Sequence, residues 1–102
     1  MNFTDLHAWR AALLWFPDPA APELRHCSDG LLVTGRDTQD RVRVIAIGEH
    51  ARLAPQFAQL PTTHWPKLCI APGFVDLHVH YPQTDVIASP AEGLLPWLEH
   101  YT

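Results

Sequence analysis

Two histidines one residue apart, His78 and His80, carry the clearest chemical signal in the sequence. Around them Val75, Leu77 and Val79 alternate with Phe74, Asp76, His78 and His80. Successive side chains of an extended segment point to opposite faces, so the acid and both imidazoles share one side. Two imidazoles at i and i+2 project in parallel and can take one metal ion, and Zn²⁺ accepts histidine nitrogen well. The bare pattern is weak. With seven histidines in 102 residues, chance gives about one H-x-H for every two such chains, and two unrelated strand histidines are the plain alternative. Gln83 stands three residues beyond His80. Its amide both donates and accepts, and an ordinary polar loop residue is the plain reading. Cys27 and Cys69 form no CxxC pair and no disulfide framework, so two reduced, buried thiols are expected. His7, His26, His50, His64 and His100 are expected at the surface or hydrogen-bonded in the core.

These residues must be held by regular elements. Leu6–Phe16 is ambiguous, because Leu6, Trp9 and Leu13 sit roughly on one helical face while the aromatic content and the Pro17-Asp18-Pro19 stop suit a strand. Residues 17–30 read as a loop ending in the turn pair Asp29-Gly30. Leu31–Thr34 and Arg41–Ile47 read as strands of a hairpin, joined by a polar connector over 35–40. Ala51–Leu60 is a candidate short helix that Pro55 limits to one or two turns. Lys67–Ile70 reads as a strand and Ala71-Pro72-Gly73 as a turn. Phe74–His80 is then a strand with one aliphatic face and one face of potential ligands, as on the inner wall of a barrel. After a loop over 81–88, Ser89-Pro90-Ala91-Glu92 has the shape of a capping box with proline in the first helical position. Leu94, Trp97, Leu98 and Tyr101 follow at i, i+3, i+4 and i+7, an amphipathic helical face more suited to packing than to substrate contact.

Composition removes several classes. Apolar residues make up 47% of the chain, enough for a core. The formal charge is −4 and no basic run occurs, which argues against a nucleic-acid surface. The longest apolar stretch, Ala11–Phe16, is far below the ~20 residues of a membrane span. It is also too short for a secretory signal, and Asp5 and His7 precede it, so a cytoplasmic protein is expected. A chain of 102 residues holds one small domain and falls far short of the ~250 residues of a complete (β/α)₈ barrel.

Pro72-Gly73-Phe74-Val75-Asp76-Leu77-His78-Val79-His80 resembles the PGxxDxHxH signature of the amidohydrolase superfamily. Nine positions in register are far more specific than H-x-H alone. The resemblance implies that this segment is the first strand of a metal-dependent hydrolase barrel, with His78 and His80 as two metal ligands. It further implies a mixed β/α fold with the N-terminal part of a β-sandwich domain over 1–70, then the first barrel strand, loop and helix over 71–102, the barrel being incomplete in this chain. Leu6–Phe16 is read as a strand on the same ground. His80-Tyr81-Pro82-Gln83 and the run Leu94-Leu95-Pro96-Trp97-Leu98-Glu99-His100-Tyr101-Thr102 narrow the likeness to the guanine deaminase family. That likeness is strong over 72–102 and one of layout alone over 6–70.

It implies hydrolytic deamination of guanine to xanthine and ammonia by a water activated on one Zn²⁺, with Gln83 on the base and guanine as the small-molecule partner. It implies a cytoplasmic homodimer that engages neither nucleic acid nor membrane. Zinc against iron stays open. A catalytic zinc site takes at least three protein ligands. In that family the further ligands and the proton-shuttling Glu come from later barrel strands. No residue of this chain matches them, so none is assigned as catalytic, and Asp76 is read as structural support. The chain is thus expected to be an N-terminal fragment that binds zinc weakly and is inactive alone. The alternatives are another deaminase or cyclic-amide hydrolase of the superfamily, and a non-catalytic remnant or small β-rich interaction module.

Overall fold

The computed structural model describes residues 2–75, 77 and 78. These form a mixed four-stranded sheet with one helix, in the order β1 (Thr4–Trp15), β2 (Arg25–Arg36), β3 (Val42–Glu49), α1 (His50–Phe57) and β4 (Thr62–Ile70). Across the sheet the strands run β3-β2-β1-β4. β1 pairs antiparallel with β2, β2 antiparallel with β3, and β1 parallel with β4.

Leu6–Trp15 is therefore strand, its helical spacing overridden by ladders on both sides, and Phe16 lies just beyond it. The β2–β3 hairpin forms as its β-branched runs predict. The expected loop over 17–30 is corrected: residues 25–30 belong to β2, with Arg25, His26 and Cys27 opposite Trp15, Leu14 and Leu13. Asp29-Gly30 is strand rather than turn. Gly30 serves close packing, since a Cβ there would collide with the Leu13 side chain and come within 2.8 Å of Cys27 Sγ. β4 starts five residues earlier than expected. Its ladder with β1 breaks between His64 and Cys69, where Pro66 supplies no N–H.

The connector after β2 is organised by one side chain. The Asp37 carboxylate accepts the backbone N–H groups of Gln39 (2.9 Å) and Arg41 (3.0 Å), and the Nε–H groups of Arg41 (3.3 Å) and Arg43 (3.0 Å). The Arg41 backbone N–H, followed by the Arg43 guanidinium, holds this carboxyl below the usual range. Asp40, at φ 60°, completes the turn.

The core lies where the central strands meet α1. Ala8, Leu31, Val33 and Leu53 are buried together, with Ile45, Ala46, Phe57 and Leu60 packed around them. α1 is two turns long and contains Pro55, which costs it one backbone hydrogen bond. It offers a single buried residue, Leu53, to the sheet. The other face of the sheet is also apolar: Leu14, Leu32, Val44, Ile47 and Ile70 line a groove of about 600 Å³. Among the described residues there is one sheet and no second sheet facing it, so the expected sandwich is represented by a single layer.

Candidate functional site

β4 runs parallel to β1 and delivers the chain to the motif. Ala71, Pro72 and Gly73 leave its end without regular structure, and nothing lies within 4 Å of a Cβ placed on Gly73. The strand expected over Phe74–His80 is not formed over its described residues. Phe74 and Val75 have no regular structure, and Leu77 and His78 lie in a bend. Phe74, Val75 and Leu77 are almost completely exposed. A strand is held by ladder bonds and by burial of its aliphatic face, and no described strand pairs with this segment.

His78 is an exposed residue with an interaction of its own. Asp76, His80, Gln83 and the expected helix after Ser89 lie outside the described residues, as does His100. The described part of the site is thus His78 alone. Among the described residues no group of three or more His, Cys, Asp or Glu side chains could hold a metal ion. They do not assemble a donor set for zinc, and no chemical step through a metal is derived from them.

Other described titratable groups pair within the sheet. Arg10 on β1 donates from Nε and Nη2 to the two Asp29 carboxylate oxygens on β2, both at 2.8 Å. That hydrogen bonding depresses the Asp29 pKa, against a smaller opposing effect of burial. His50 Nδ1 stands 4.0 Å from the same carboxylate, and His64 is Arg10's register partner on β4. Sequence reading missed this row because it placed Asp29 in a turn; only the β1–β2 register brings residues 10 and 29 together.

His7 shares a 2.8 Å hydrogen bond with Thr63 Oγ1 and lies against Trp9, which stacks on Trp65 with ring centroids 5.6 Å apart. The expectation that both cysteines are buried holds for Cys27 and fails for Cys69, which is exposed on the edge strand β4. Burial, reinforced by the charges of Glu49 and Asp29, pushes the Cys27 thiol up, which disfavours the thiolate form. Among the described residues no helix is long and apolar enough to cross a membrane.

No family model matches the chain, and no solved structure matches it. Guanine deaminase of Escherichia coli (strain K12) is 33% identical over 90 residues, which is 84% of this chain and 19% of that protein. A probable guanine deaminase of Deinococcus radiodurans is 35% identical over 101 residues, 92% of this chain and 22% of that protein. The chain spans about a fifth of the length of these curated relatives. Through nearly all of its own length, the chain is similar in sequence to guanine deaminases.

Proposed function

We propose that this chain is the N-terminal part of a guanine deaminase that converts guanine to xanthine and ammonia by hydrolysis. The observation that carries the reading is the continuous similarity to two guanine deaminases, across a chain that contains PGFVDLHVH at residues 72–80. In this reading residues 1–70 are part of the N-terminal β-domain and residues 71–102 begin the hydrolase barrel. His78 and His80 are two ligands of a single zinc ion. Those two side chains would hold the ion together with ligands from outside this chain, and the chemistry it would supply is the activation of water as a nucleophile. Gln83 orients the base through its amide, which can donate to a ring acceptor and accept from a ring N–H or amino group. The enzyme is placed in the cytoplasm as a homodimer.

The test is xanthine formation from guanine by the product of the complete reading frame, with adenine and cytosine as competing substrates. The expected result is turnover of guanine alone, abolished in His78→Ala and His80→Ala together with loss of bound zinc. Turnover that survives both substitutions would remove the ligand assignment. Preference for adenine or cytosine would remove the substrate assignment.

A further inference from the structure

We draw no further inference here: the strongest candidate, the apolar groove on the face of the sheet opposite α1, lined by Leu14, Leu32, Val44, Ile47 and Ile70, carries nothing because the chain spans about a fifth of the length of its relatives and nothing in the structure shows what covers that face.

Discussion

Leu13 and Gly30 offer a decisive test of the packing that holds β1 against β2. Leu13 is completely buried, at 0% exposure. A methyl group placed on Gly30 would fall within the volume of the Leu13 side chain and 2.8 Å from Cys27 Sγ. Leu13→Ala alone removes three buried carbons and leaves a partly collapsed cavity, a loss of about 3 kcal/mol. Gly30→Ala alone overpacks the same contact and costs about 1–3 kcal/mol, even though alanine is the better strand residue. In the double variant the new methyl occupies space that Leu13 has vacated. The second substitution should then cost close to nothing, giving a favourable coupling of about 1–3 kcal/mol. The residual approach to Cys27 sets the lower figure. Urea unfolding followed by tryptophan fluorescence measures all four corners of the cycle, with Trp9 and Trp15 reporting from β1 itself. Strict additivity, within about 0.5 kcal/mol, would refute the register that brings Leu13 over Gly30.

The folded Asp37 carboxyl titrates below its unfolded value, so its stabilisation is present above about pH 4 and is lost as pH falls through the folded pKa. Asp37→Asn should be less stable than the parent at pH 7 and should converge on it in acid, as read by urea midpoints across pH. Thr34→Val removes the acceptor for the Trp9 indole N–H, 2.9 Å away, and should cost about 1–2 kcal/mol, with a change in tryptophan emission as a second readout. Leu53→Ala withdraws the only buried side chain of α1 and should cost about 2–4 kcal/mol, with hydrogen exchange rising first across residues 50–57. Because the proposed site draws only two ligands, His78 and His80, from this chain while a zinc site takes at least three, the 102-residue chain should not retain stoichiometric zinc at sub-micromolar free metal in equilibrium dialysis followed by metal analysis.

Local signals carried the hairpin and little of what surrounds it. The β-branched run from Val42 to Ile47 and the two-turn helix that contains Pro55 were legible because each depends on its own residues. Arg25–Gly30 was not, since a stretch of Arg, His, Cys, Ser, Asp and Gly becomes strand by pairing with Ala11–Trp15. Thr62–Trp65 was missed for the same reason: its partner, β1, lies more than fifty residues earlier. In both cases the decisive interaction is non-local, and tertiary pairing overrides propensity.

The motif shows the opposite relation between sequence and structure. Its chemistry is legible residue by residue, yet Phe74, Val75 and Leu77 stand exposed and His78 sits in a bend. The alternation that aligns two imidazoles holds only while the backbone is extended. An extended backbone in turn needs neighbours on both edges and cover on its aliphatic face. β4 brings the chain to Ala71 and supplies neither. The sheet therefore fixes where the motif begins but not how its imidazoles are aimed. If His78 and His80 are metal ligands as proposed, their geometry should then depend on whatever strand pairs with residues 74–80, and substitutions within the β1–β2 core should alter the stability of the sheet without altering metal binding by that segment.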